Sequence, residues 1–200
     1  APTAVFIEVF RRKGIDVTLE QARGPMGMHK RDHIRILTQL EAVAEQWSAK
    51  FGKRPTEDDV EALFAEFVPL QVDAISRHAD IIPGTVETIA ALRARGIKIG
   101  STTGYNAEMM AVLTPLAAKA GYAPDCMVCV SDVKEGRPAP DMALKAAKRL
   151  GIDDTALCVK VGDTVADIKE GLNARMWSIG VADHGNEVGL SRAEFDALTP

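Results

Sequence analysis

The sequence predicts an α/β protein in two parts: a helical module over residues 1–80 and a doubly wound α/β half over residues 81–200. Three observations predict it. Up to Ile81-Ile82-Pro83-Gly84, apolar residues recur only at helical spacing. Past Pro83, short apolar runs alternate with amphipathic segments, the pattern of a parallel sheet covered on both faces. The composition, 46% hydrophobic and 26% charged over 200 residues, is that of a globular chain long enough for a domain with an insert.

Taken in order, residues 4–13 form an amphipathic helix that stops at Gly14. Thr18-Leu19-Glu20-Gln21 is a capping box that opens a short helix. Helical spacing returns over 29–38 and 40–51. Thr56-Glu57-Asp58-Asp59 then starts a long helix toward Ser76, its acids matched to the positive end of the helix dipole. In the second half, helices are expected over 85–96, 107–120, 140–150 and 165–176. Strands are expected over 97–101, 126–130, 157–161 and 177–181. There is no internal repeat and no low-complexity segment.

Composition narrows the function. A net charge of −4 without a basic run gives no support to nucleic-acid or membrane-surface binding. No apolar run reaches the ~18 residues of a membrane span. The first residues lack the pattern of a signal peptide, and a start at Ala1-Pro2-Thr3 without Met reads as processing or truncation. Cys126-x-x-Cys129 has the spacing of a metal or redox hook, but it sits in an apolar strand, where positions three apart face opposite ways. Buried core thiols are expected there, and three scarce cysteines fit a reducing cytoplasm.

In a doubly wound sheet, chemistry gathers past the C-terminal ends of the strands. The first strand runs into Thr102-Thr103-Gly104-Tyr105, where the Thr103 hydroxyl and the open backbone at Gly104 suit phosphate oxygens; a plain structural turn has the same composition. The third strand runs into Gly162-Asp163-Thr164-Val165-Ala166-Asp167. Two carboxylates four apart can converge on a hard cation such as Mg²⁺; otherwise Asp163 caps the helix and Asp167 is a solvated first-turn acid. Between them, Arg137 in Gly136-Arg137-Pro138-Ala139-Pro140 is a permanent cation on a proline-stiffened loop, able to hold a phosphate or phosphonate oxygen.

In that order, the Thr-Gly turn, the basic residue before proline and the pair Asp163 and Asp167 resemble the second, third and fourth motifs of the haloacid dehalogenase superfamily. The resemblance implies a Rossmann-like parallel sheet core with a helical cap where residues 1–80 lie, an Asp nucleophile on phosphorus, and Mg²⁺ held by Asp163 and Asp167. A closer resemblance runs from Ala1 to about Leu190, carried by the run from Ala22 to His33, by residues 97–105, and by Val159-Lys160-Val161-Gly162-Asp163-Thr164. It is to the phosphonoacetaldehyde hydrolase family, which cleaves a carbon–phosphorus bond to give acetaldehyde and phosphate. The resemblance puts the imine-forming lysine at Lys30, with Met26 and His33 beside it. It also implies a cytoplasmic homodimer joined through the cap and a small phosphonate as substrate.

The chemistry explains the lysine. Heterolysis of a C–P bond would strand charge on carbon, whereas an iminium accepts those electrons as an enamine. The Lys30 amine must be neutral to condense, so its pKa should be depressed. His33, one helical turn on, could move protons during imine formation. Arg137 stands where most superfamily phosphatases resemble a Lys-Pro pattern; a guanidinium neutralises phosphonate but cannot condense with an aldehyde, so Lys30 has no rival. Tyr105 lines the pocket or serves as a core or rim aromatic, His29 edges the site, and Lys160 is available as partner to a carboxylate. His78 and His184 have no identifiable partner.

The family's Asp-x-Ala-Gly-Thr strand, source of the nucleophile, is absent from these 200 residues. That strand would lie between those ending at Thr103 and Asp163, and its absence would leave unpaired backbone groups costing ~1–3 kcal/mol each if buried. The expectation is that the full gene product holds this strand and that the present chain alone is inactive. Two alternatives stand beside it: a phosphatase acting on a small phosphate ester, and a catalytically inactive fragment that binds ligand.

Overall fold

A computed structural model of the chain describes residues 2–77 and 79–182, together with 194, 197 and 198. His78 and His184 lie outside the described residues. The helical module comprises α1 (Pro2–Arg12), α2 (Leu19–Arg23), α3 (Lys30–Gln39), α4 (Glu41–Phe51) and α5 (Glu57–Arg77). The second half alternates as expected: α6 (Thr85–Ala94), β1 (Gly100–Thr103), α7 (Ala107–Lys119), β2 (Cys126–Cys129), α8 (Asp141–Arg149), β3 (Val159–Gly162), α9 (Val165–Asn173) and β4 (Trp177–Gly180).

Local chemistry sets the boundaries. The Thr18 capping box forms: the Gln21 amide donates to Thr18 Oγ1 at 3.1 Å and the Thr18 amide to Gln21 Oε1 at 2.9 Å. The strand expected over 97–101 pairs later, at Gly100–Thr103. Ahead of it the Asp125 carboxylate accepts the Ile99 amide at 2.7 Å, in place of a ladder partner.

The sheet is parallel and breaks where the absent strand was expected, between the strands ending at Thr103 and Gly162. Among the described residues β1 pairs with β2 in parallel, Gly100 opposite Cys126, and β3 pairs with β4 in parallel, Val159 opposite Trp177; no ladder joins the two pairs. α9 packs on one face of β3–β4. On the other face Val159, Val161, Trp177 and Ile179 are all more than half exposed. The apolar run read as buried on both faces is buried on one.

The main core fills the helical module with Phe6, Phe10, Ile34, Leu37, Leu63 and Phe67, and it continues into the second half through Met109 of α7, with Tyr105 and Leu113 against it. A smaller cluster of Cys126, Val128, Met142 and Ala146 lies between β1–β2 and α8. Cys126 and Cys129 are buried and free, as core thiols.

Candidate active site

Lys30 owes its position to the turn over residues 24–29, which joins α2 to α3. Gly27 sits at φ +86°, and a side chain there would collide with the Thr164 hydroxyl at the start of α9. Gly104, just past β1, lies so close that a Cβ would stand 2.7 Å from the Met28 carbonyl oxygen. The turn is thus pressed between the ends of β1 and β3, and Lys30, the first residue of α3, points inward from it. Lys30 is only 5% exposed, with Nζ 5.6 Å from the Phe6 ring centre and 5.5 Å from that of Tyr105. Burial, and then the charge of Arg137, hold its amine down from the usual 10.5 to about 8.

His33 lies fully buried one turn along α3, its ring stacked on Phe6 at 3.7 Å. Its Nε2 faces the Ala22 carbonyl oxygen at 3.0 Å, which assigns the proton to Nε2 and leaves Nδ1, buried and without a hydrogen-bond partner, as a bare lone pair. Burial and the Lys30 charge outweigh the Ala22 bond and push its pKa down to about 3. The ring is therefore neutral at any working pH. Met26 is buried in the same core, and burial pushes the Tyr105 phenol up to about 12. The Tyr105 hydroxyl accepts a 3.2 Å bond from Gln71 Nε2, while Gln71 Oε1 is buried with no partner. Gln71 was not singled out from the sequence. Its signal was a polar residue in line with Phe67 and Ile75 on the buried face of α5.

Arg137 lies in a buried cluster of four charges. Its Nε donates to Glu170 Oε2 at 2.8 Å, its Nη1 lies 3.0 Å from Asp167 Oδ1, and its Nη2 donates to the carbonyl and hydroxyl oxygens of Thr102 at 2.7 and 2.8 Å. Lys160 completes the cluster, 2.8 Å from Asp167 Oδ1 and 3.1 Å from Glu170 Oε2; these two carboxylates are its partners. Arg137 is accordingly anchored by protein oxygens rather than standing as an isolated clamp. Glu170 was missed in the sequence. Only its place one turn after Asp167, on the inner face of α9, could have flagged it.

The spacing of Asp163 and Asp167 predicts a two-carboxylate cradle for Mg²⁺, and the two carboxylates have different surroundings in this chain. Both oxygens of Asp167 are taken, Oδ1 by Lys160 and Arg137 and Oδ2 by the Thr164 hydroxyl at 2.6 Å. Burial works to raise its pKa, but the two cations and the hydrogen bonds prevail and hold it below the usual carboxylate range. Among the described residues, no three His, Cys, Asp or Glu side chains converge as metal donors. Thr164 rather than Asp163 caps α9, and Asp163 sits half-buried in the turn after β3. Of the other residues expected here, Thr103 Oγ1 accepts the Tyr105 amide at 3.2 Å, and His29 backs onto Gly136 beside Arg137. The structure thus gathers Lys30, His33, Met26 and Tyr105 on one side and Arg137 and Asp167 on the other, with Thr103, Gly104 and Asp163 at the strand ends between them.

Comparison with known proteins shows the family. Residues 2–175 match the haloacid dehalogenase-like hydrolase family. The chain is 52% identical over 198 residues to a bifunctional phosphonoacetaldehyde hydrolase/aminoethylphosphonate transaminase of Clostridioides difficile, covering 99% of this chain and 31% of that protein. It is 48% identical to a phosphonoacetaldehyde hydrolase of Syntrophobacter fumaroxidans, covering 99% of this chain and 72% of the relative. A crystal structure of a phosphonoacetaldehyde hydrolase-like protein from Oleispira antarctica superposes with a TM-score of 0.94 at 42% identity, over 99% of this chain and 72% of that one. By sequence and by fold, the chain belongs to the phosphonoacetaldehyde hydrolase family of the haloacid dehalogenase-like hydrolases.

Proposed function

We propose that the chain carries the aldehyde-activating part of an enzyme that hydrolyses phosphonoacetaldehyde to acetaldehyde and phosphate through an imine on Lys30. The observation that carries this reading is the Lys30 amine, buried between Phe6 and Tyr105 with its pKa near 8 and close enough to Arg137 to feel its charge. The neutral amine adds to the aldehyde carbon, and the carbinolamine oxygen, once it has taken up a proton, leaves as water to give the iminium. The C–P bonding electrons then move onto carbon as the enamine while phosphorus passes to an acceptor oxygen. Protonation of the enamine carbon and addition of water to the iminium release acetaldehyde and restore Lys30. The bare Nδ1 of His33, too weakly basic at a pKa near 3 to hold a proton, offers a hydrogen-bond acceptor beside Lys30 during imine formation. Thr103 and the backbone at Gly104 receive the phosphonate, with Arg137 supplying positive charge and Met26 and Tyr105 lining the pocket beside the amine. The acceptor that the family resemblance implies, a carboxylate of an Asp-x-Ala-Gly-Thr strand, is not among these 200 residues.

For the Mg²⁺ of the same reading, Asp163 and Asp167 are the donors this chain offers, Asp167 also bonding Arg137 and Lys160. The ion would neutralise phosphonate charge. The same reading includes a cytoplasmic homodimer joined through the helical module.

Imine formation needs no phosphoryl acceptor, so borohydride trapping tests the proposal on this chain. With phosphonoacetaldehyde and borohydride, peptide mapping should find the reduced adduct on Lys30, and Lys30→Arg should abolish it. Absence of an adduct on the parent chain would leave phosphate-ester hydrolysis as the better reading.

A further inference from the structure

We infer that Glu170 is a positioning residue that fixes the Arg137 guanidinium so that one edge of it, at Nη1, is presented to the substrate's phosphonate. The inference deepens the proposed function and rests on the reading that Arg137 faces phosphonate.

Glu170 is fully buried on α9, and its Oε2 collects three donors: Arg137 Nε at 2.8 Å, Lys160 Nζ at 3.1 Å and the Thr102 hydroxyl at 3.2 Å. These donors come from three different segments, the loop after β2, strand β3 and strand β1. A guanidinium is planar, so anchoring two of its nitrogens fixes the direction of the third. Glu170 holds Nε, and Thr102 holds Nη2 through two oxygens. Nη1 carries two N–H groups, and Asp167 Oδ1 at 3.0 Å can accept one of them. The other is the part of the guanidinium these bonds do not use.

The cluster is also balanced in charge, Arg137 and Lys160 against Asp167 and Glu170. A neutral cluster attracts an anion by its oriented N–H rather than by excess charge. This gives the proposal a sign that distinguishes it from simple electrostatics. Removing the Glu170 charge leaves the cluster one unit positive, and charge alone would then tighten phosphonate binding. Loss of orientation would weaken it.

The experiment compares borohydride trapping on Lys30 of two aldehydes, phosphonoacetaldehyde and acetaldehyde, in the parent chain and in Glu170→Gln. The half-saturating concentration of phosphonoacetaldehyde should rise on the order of tenfold, while acetaldehyde trapping stays within about twofold. Glu170→Asp should recover part of the loss. An unchanged or lowered value for phosphonoacetaldehyde, or an equal loss for both aldehydes, overturns the inference. If Glu170→Gln does not fold, Thr102→Val removes an acceptor for Arg137 and should move the same ratio in the same direction; a fixed ratio contradicts the proposal. A parent chain that traps neither aldehyde contradicts the Lys30 chemistry instead. Calorimetric titration with inorganic phosphate then decides for Glu170, and weaker binding by Glu170→Gln is the result expected.

Discussion

Lys30 enters the interior at a cost. Lowering its pKa from 10.5 to about 8 corresponds to roughly 3 kcal/mol of unfavourable burial of the charged form. Below about pH 8 the folded chain carries that charge and bears the penalty in full. Between about 8 and 10.5 the unfolded chain binds more proton than the folded one, so stability rises with pH. Lys30→Met should therefore raise folding stability at pH 7 by about 1–3 kcal/mol in denaturant titration, a gain that shrinks toward pH 10. A loss, or a pH-independent change, would contradict burial of a charged amine. His33 sets a second expectation. With its pKa near 3, the rate of Lys30 trapping should climb through a single inflection near pH 8. A further inflection near 6.5 would show that the imidazole titrates in the working range. At this scale the sequence was an uneven guide. Lys30 and His33 were legible because a motif placed them. The ion pairs of Asp167 were not legible, because spacing cannot show that Arg137 and Lys160 meet its carboxylate. Glu170 and Gln71 were invisible as site residues, since a polar residue on a helix gives no sign of burial until its neighbours are in place.

At the scale of elements, the site depends on how closely the turn over residues 24–29 approaches the ends of two strands. Gly27 and Gly52 both have positive φ, +86° and +74°, so alanine at either costs about 1 kcal/mol or more in backbone strain. Only Gly27 also faces a neighbour, Thr164, whereas nothing lies within 4 Å of a Cβ at Gly52. Gly27→Ala should cost about 1–3 kcal/mol more than Gly52→Ala and should lower Lys30 trapping by an order of magnitude. Equal effects on both measurements would show that the turn does not position the amine. The alternation of helix and strand was legible because each run kept its period. The start of β1 was not, because the Asp125 carboxylate that takes up the Ile99 amide is 26 residues away in sequence.

Across the whole molecule, one apolar core spans the helical module and α7, with Phe67 of α5 and Met109 of α7 in the same cluster. The two parts named from the sequence should therefore melt together, in a single calorimetric transition. Two resolved transitions would show that the shared core does not couple them. The sheet was legible in kind and in its break, since among the described residues its parallel strands form two pairs parted where the absent strand was expected; the exposed face of β3–β4 was not. Periodicity reports that a strand is apolar, and only the assembled chain reports what covers it. The central claim joins the two sides of this architecture, an amine carried by the helical module and a cation cluster at the strand ends. A crystal structure of the borohydride-reduced phosphonoacetaldehyde adduct tests it most directly. The account predicts a new N–C bond at Lys30 Nζ, with phosphonate oxygens within hydrogen-bonding distance of Arg137 Nη1 and Thr103. An adduct on another lysine, or a phosphonate turned away from Arg137 into solvent, would contradict it.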